Sequence, residues 1–131
     1  MHLLESTTKY ALKALLYLAS VDDDGYIRVE ELSDAAGVPG PYLSKIMKKL
    51  AEEGLVLSKR GSRGGVKLAP RIQAITFYDI CVALEDPIVR AGCMLNNGPC
   101  NRNAPCAFHS GWAKVKQEVA RHFSQLKLPS R

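Results

Sequence analysis

Apolar residues change their spacing several times along the chain, and each change marks an element. In "STTKYALKALLYLAS" the spacing predicts a helix that starts near Ser6–Thr8. Tyr10, Leu12, Leu15, Leu16, Tyr17 and Leu18 leave it apolar on more than one face, so it should be buried on several sides, partly against another subunit. "VDDDGY" is a polar turn. "RVEELSDAAGV" reads as a short helix with Val29, Leu32 and Ala36 on one side and Gly37 as its stop. "PGPYLSKIMKKLAEEGL" begins on proline, which the first helical turn tolerates, and ends at Gly54. Its Leu43, Ile46, Met47 and Leu50 form a core face, leaving Ser44, Lys45, Lys48 and Lys49 outward or on the flank.

Two short helices joined by "GVPG" read as a helix-turn-helix. The next stretch, "LVLSKRGSRGGVKLAP", has two short apolar-alternating runs around Arg60, Gly61, Ser62, Arg63 and Gly64, which is a β-hairpin closed by Pro70. Its basic tip supplies a wing. "ITFYDICVALED" is a helix opened by Thr76, with Asp79 placed for a capping box, stopping at Asp86–Pro87. From there to Ala104, prolines, glycines and asparagines give a loop. A last helix is expected from Pro105 to Leu126, with Trp112, Val115, Val119, Phe123 and Leu126 as a narrow seam for a partner helix. The expected fold is therefore mainly α with a small β-hairpin: a winged helix-turn-helix plus a long C-terminal dimerisation helix. Residues 1–86 form the DNA-binding part and 87–131 the cysteine loop and dimerisation helix, one compact unit in the dimer.

Charge sharpens this picture. The chain has 131 residues and a net charge of +5, and the excess is concentrated. Between Pro39 and Arg71 stand eight cations, Lys45, Lys48, Lys49, Lys59, Arg60, Arg63, Lys67 and Arg71, against Glu52 and Glu53. Such a cluster on a helix-turn-helix and wing fits a duplex. Ser44 and Lys45 lie near the helix end that meets base edges. Lys48, Lys49, Lys59, Arg60 and Arg63 neutralise phosphates, and Arg60 or Arg63 can reach the minor groove. The longest strongly apolar run, Ala14 to Ala19, is far below the roughly 20 residues of a membrane span. With no basic flank leading into an apolar stretch at the start, a cytoplasmic protein without membrane partners is expected.

The stretch "CMLNNGPCNRNAPCAFH" gathers three of the four cysteines in a segment with few apolar neighbours. In a reducing compartment such thiols read as ligands or redox groups rather than a disulfide framework. No two of Cys93, Cys100 and Cys106 are as close as the tight pairs of structural zinc, and His109 follows Cys106 after two residues. Thiolates with an imidazole suit an iron–sulfur cluster. Zinc and thiol redox chemistry remain open from spacing alone. Cys81, inside the apolar "DICVAL", reads as core. No nucleophile–base pair at a recognisable spacing and no glycine-rich phosphate loop points to an enzyme.

Taken together, "KYALKALLYLA", "YLSKIMKKLAEEGLV", "KRGSRGGVKLA" and the late three-cysteine loop resemble the Rrf-two type of bacterial winged-helix transcription regulators, the family of IscR-like and NsrR-like proteins. The resemblance covers nearly the whole chain. It implies a homodimer, joined largely through the late helix, on a partly palindromic double-stranded DNA operator. It also implies that Cys93, Cys100 and Cys106, with His109 as in the IscR-like branch, hold an iron–sulfur cluster. A histidine ligand favours 2Fe–2S over 4Fe–4S. The carboxylate used by the other branch is replaced here by Lys9, and the first cysteine gap is one residue longer than the common form. The start of the recognition helix carries Pro41, Tyr42, Ser44 and Lys45 rather than the Glu-and-Gln pattern of IscR. The DNA-facing set is then Pro41, Tyr42, Ser44, Lys45, Lys48 and Lys49 with Lys59, Arg60, Ser62 and Arg63 of the wing. The expected function is a regulator whose DNA affinity depends on the cluster and reports redox, iron or nitric oxide status. The alternative is a cluster-free member of the same family sensing through thiol oxidation, zinc or a partner protein.

Overall fold

Helix α1 (Ser6–Ser20) is the element against which the DNA-binding part is assembled; it packs on the two helices that follow and on the second hairpin strand. Thr8, Ala11, Leu15 and Leu18 recur every three or four residues as its buried stripe, widened by Ala14 and Ala19. Its other apolar residues lie on the sides that the sequence assigns in part to another subunit. Tyr10, Leu12 and Tyr17 are half-buried, and Leu16 is 47% exposed. The computed structural model describes residues 4–21, 25–89 and 108–129, without the His109 side chain.

Helix α2 (Val29–Ala36) stops where expected, because Gly37 turns left-handed at φ 68° and returns its N–H to the Ser33 carbonyl at 3.0 Å. The Ser33 hydroxyl donates to the Val38 carbonyl, closing the turn of the helix-turn-helix. Helix α3 (Gly40–Glu52) has Pro41 in its first turn and buries Leu43, Ile46, Met47 and Leu50, the four residues of the predicted face. At its far end the Arg71 guanidinium donates to the Gly54 and Glu53 carbonyls at 3.0 and 2.9 Å. These are orphan acceptors of a helix terminus, so this cation serves the fold.

Strands β1 (Val56–Lys59) and β2 (Gly65–Leu68) pair antiparallel, with Val56 opposite Leu68 and Lys59 opposite Gly65. Ile27 exchanges both backbone hydrogen bonds with Val66, each 2.8 Å, so a single bridge ties the residues before α2 to the wing's base. Gly65 sits at φ 145°, and a side chain there would fall on the Ile27 carbonyl. A 3₁₀ turn over Pro70–Ala74, absent from the sequence expectation, then places Ile72 in the core.

Helix α4 (Phe77–Ala83) opens with the predicted capping box: Thr76 accepts from the Asp79 N–H, and Asp79 accepts from the Thr76 N–H. It ends three residues before the expected stop, because Glu85 turns left-handed at φ 56° and Asp86 folds inward. Helix α5 (His109–Phe123) is also shorter than expected. Leu126 lies beyond it: its carbonyl accepts from the Phe77 N–H at 2.7 Å, while Lys127 bridges to Thr76. The seam at 126 is thus held by backbone pairing to α4 rather than by helix. Pro105 to Ala107, assigned to the helix by periodicity, lie outside the described residues. Among the described residues, five helices and a two-stranded antiparallel hairpin make a winged helix-turn-helix fold. No helix among the described residues is long and apolar enough to cross a membrane.

Candidate nucleic-acid interface and sensing segment

The outer face of α3 and the wing enclose an open groove of about 590 Å³. Ser44, Met47, Lys48 and Glu52 form one wall, Ser58, Lys59 and the glycines of the wing another, and Arg28 the end. Ser44, Lys48 and Lys59, picked out by sequence, are therefore brought together. Pro41, Tyr42 and Lys45 are exposed along the start of α3, and Arg60, Ser62 and Arg63 are exposed at the wing tip. Lys49 differs from the set: it is half-buried and pairs with Glu53 at 3.6 Å, four residues on. Lys59 and Lys67 reach over the Tyr26 ring, 5.8 and 4.9 Å from its centroid, a contact open to cations on long stems. Sequence reasoning passed over Arg28, whose only signal was an arginine where a helix N-cap usually has a small polar residue.

The first helix is coupled to both ends of this machinery. Tyr10 on α1 meets Tyr42 at the start of α3 edge-on, with ring centroids 5.8 Å apart. Two residues earlier on α1, the Thr8 hydroxyl donates to Asp86 at 2.6 Å. The same carboxylate oxygen accepts the Glu5 N–H at 3.1 Å, and the other accepts the Ile88 N–H at 2.9 Å. Asp86 is 1% exposed. A carboxylate so deep is tolerable because three donors replace its water and because it stands at the positive end of a helix. No side chain of α1's own caps that end, so Asp86 does so from 81 residues away. The chain that leads towards the cysteine segment is thus fastened to α1 just before residue 90.

Cys81 is fully buried, and its carbonyl accepts the Asp86 N–H at 2.9 Å. Burial, and secondarily the Asp86 charge, push its thiol up to about 12. It is core, as its sequence context indicated. The folded state binds this proton more tightly than the unfolded chain, so the stability it contributes is complete at neutral pH. That stability falls as pH rises from the ordinary thiol range towards 12. Iodoacetamide at pH 8 is expected to leave Cys81 unmodified in folded protein and to modify it once urea unfolds the chain. Peptide mass spectrometry reads both, and rapid labelling of the folded protein would contradict the buried assignment.

Cys93, Cys100 and Cys106, the predicted ligands, lie outside the described residues, as does the His109 side chain. The structure describes what brackets them: Asp86 to Val89 on one side and α5, which begins at His109, on the other. Phe123 of α5 stacks on Phe77 of α4 at 4.3 Å between centroids. Along the predicted seam Trp112, Val119 and Phe123 are half-buried, while Val115 and Leu126 are about half exposed at 50% and 52%. Glu118 pairs with Arg121 at 2.7 Å, and that hydrogen bond and charge hold its exposed carboxyl below the ordinary range.

Comparison with known proteins gives this geometry its context. Residues 4–130 match the Rrf2 family, described as iron-dependent transcriptional regulator. An Aquifex aeolicus protein named as an HTH-type transcriptional regulator is 36% identical over 119 residues, 89% of this chain and 82% of that protein. The regulator IscR of Yersinia enterocolitica is 26% identical over 125 residues, covering 95% of this chain and 76% of the relative. Among solved structures, T. potens IscR superposes with a TM-score of 0.73 at 25% identity, over 95% of this chain and 81% of that one. CymR, the global cysteine regulator of B. subtilis, has a TM-score of 0.76 at 24% identity over 98% and 94% of the two chains, a likeness of fold. Its relatives are regulators rather than enzymes, and the match spans almost every residue. The chain belongs to the Rrf2 family of transcriptional regulators.

Proposed function

We propose that this regulator is a homodimer whose grip on a partly palindromic operator is set by an iron–sulfur cluster held by Cys93, Cys100, Cys106 and His109. The observation that carries the reading is the buried Asp86. It joins the chain leading into the cysteine segment to α1, and α1 reaches the recognition helix through Tyr10 and Tyr42. Whatever orders the cysteine segment therefore bears on the pose of α3.

The donor set fits such a group. Three thiolates and an imidazole are iron–sulfur ligands, the imidazole favouring 2Fe–2S over 4Fe–4S. The remaining cysteine, Cys81, is withdrawn by burial from ligation and from thiol sensing. The family's iron-dependent description supports the same choice. A bound cluster supplies redox chemistry and ties together the residues that ligate it. The chain does the rest. Asp86 holds the start of the segment to α1, α5 carries its end, and α5's half-exposed Val115 and neighbouring Trp112 and Val119 offer a seam to a second copy. Residues 1–86 then serve as the DNA-binding part and 87–131 as the sensing and dimerising part.

On the duplex, Pro41, Tyr42, Ser44 and Lys45 present the N-terminal turns of α3 to base edges. Lys48, Lys59, Arg60, Ser62 and Arg63 contact the backbone or the adjoining minor groove, with Lys49 on the flank, its ammonium shared with Glu53. Protein purified with air excluded is expected to be coloured and to hold iron and acid-labile sulfide in equal amounts. Cys93→Ala, Cys100→Ala, Cys106→Ala and His109→Ala should each lose most of both. A colourless wild type free of iron would overturn the reading, and a stoichiometric zinc content would replace it with the zinc alternative.

A further inference from the structure

Three consecutive residues ahead of α2 hold the wing. The Tyr26 ring lies beneath Lys59 of β1 and Lys67 of β2. Ile27 exchanges two backbone hydrogen bonds with Val66 at the hairpin's base. The Arg28 guanidinium crosses to the tip, where Nη1 donates to the Ser62 carbonyl at 3.2 Å. Arg28 is the N-cap of α2, and its carbonyl accepts the Leu32 N–H at 3.0 Å. Its side chain makes no cap, although a small polar residue here would satisfy an orphan N–H. Arg28 forgoes that local bond for a partner 34 residues away.

The consequence is geometric. The wing-tip residues Arg60, Ser62 and Arg63 are all exposed, and a two-stranded hairpin on its own is free to sway. α2 is fixed to α3 through the helix-turn-helix, so a side chain from the N-cap of α2 to the tip sets the distance between the wing's cations and the recognition helix. The anchor itself is exposed at 63%; its Nε pairs with the Glu30 carboxylate at 3.9 Å, which leaves Nη1 to the Ser62 carbonyl. Planar, multidentate arginine suits this work better than a flexible ammonium.

We propose that Arg28 is a positioning residue that braces the wing against the helix-turn-helix, so that wing and recognition helix engage one duplex in fixed register. This rests on the DNA-binding reading above. The test uses a duplex selected from a random-sequence pool by the wild-type protein prepared with air excluded. Failure of the wild type to select any duplex would defeat the DNA-binding reading itself, separately from the role of Arg28.

Binding is then measured by fluorescence anisotropy for wild type, Arg28→Ala, Arg28→Lys, the Arg60→Ala/Arg63→Ala pair and the triple variant. Arg28→Ala is expected to bind about fivefold more weakly, the scale of one lost charge-assisted hydrogen bond, with an unchanged melting temperature. Arg28→Lys, which can still donate once, should recover part of that loss. Adding Arg28→Ala to the Arg60→Ala/Arg63→Ala pair should cost little further, because the tip then has no cations for the brace to place and Lys59 is held in β1. Equal binding by wild type and Arg28→Ala would overturn the proposal. So would a full additive loss in the triple variant, which would make Arg28 a direct DNA contact.

Discussion

Asp86→Ala is expected to lower the stability of the folded protein by about 3 kcal/mol, the cost of stranding buried donors, and its melting temperature by roughly 10 °C. The substitution leaves the Thr8 hydroxyl, the Glu5 N–H and the Ile88 N–H without their acceptor. It also removes the negative charge that stands at the open end of α1. Two further substitutions separate these contributions. Thr8→Val takes away one donor and keeps the carboxylate's two backbone bonds, so it should cost about 1 kcal/mol. Asp86→Asn keeps one acceptor oxygen and should fall between the two. Circular dichroism melts provide the comparison. An Asp86→Ala protein that melts with the wild type would mean that the carboxylate does not cap α1.

Gly65→Val is expected to detach the wing. At φ 145° an L-residue is strained, and its side chain would collide with the Ile27 carbonyl. Relieving the collision opens the Ile27–Val66 bridge, which ties the hairpin to the residues before α2. Lys59, Arg60 and Arg63 then lose their common pose. Affinity for a selected duplex should drop about a hundredfold, and the slope of log affinity against log salt should flatten by roughly two to three per subunit. α1 and α3 keep their packing, so most of the helical signal should survive. Unaltered affinity in Gly65→Val would show that the wing takes no part in binding.

Much of this fold is legible in the sequence, for a simple reason: local patterns fix local elements. Leu43, Ile46, Met47 and Leu50 recur at helical spacing and all four are buried. Thr76 and Asp79 form the capping box their spacing implied. What could not be read depends on partners distant in sequence. Asp86 beside Pro87 has the look of a solvated turn, and its burial is explained by Glu5 and Thr8, about eighty residues earlier in the chain. Periodicity carried α5 through Leu126 because apolar spacing continues there, but pairing of Leu126 and Lys127 with Phe77 and Thr76 ends the helix first.

Charge was legible in total and less so in its use. Of the eight cations counted around the helix-turn-helix, Arg71 closes the end of α3 and Lys49 pairs with Glu53. The groove side retains Lys48 and Lys59, joined by an arginine from outside the counted stretch, Arg28. A count along the sequence cannot distinguish a cation that caps a helix from one that faces a duplex, because both lie in the same basic run.

The proposed dependence of DNA binding on a cluster is tested most directly by one titration. Oxygen-free wild-type protein is measured against its selected duplex before and after the iron is stripped by a chelator, with the Cys93→Ala variant alongside. Intact and stripped protein should differ in affinity by about tenfold or more, the scale of a coupling between two sites, and Cys93→Ala should match the stripped form. Identical binding curves for all three would contradict it.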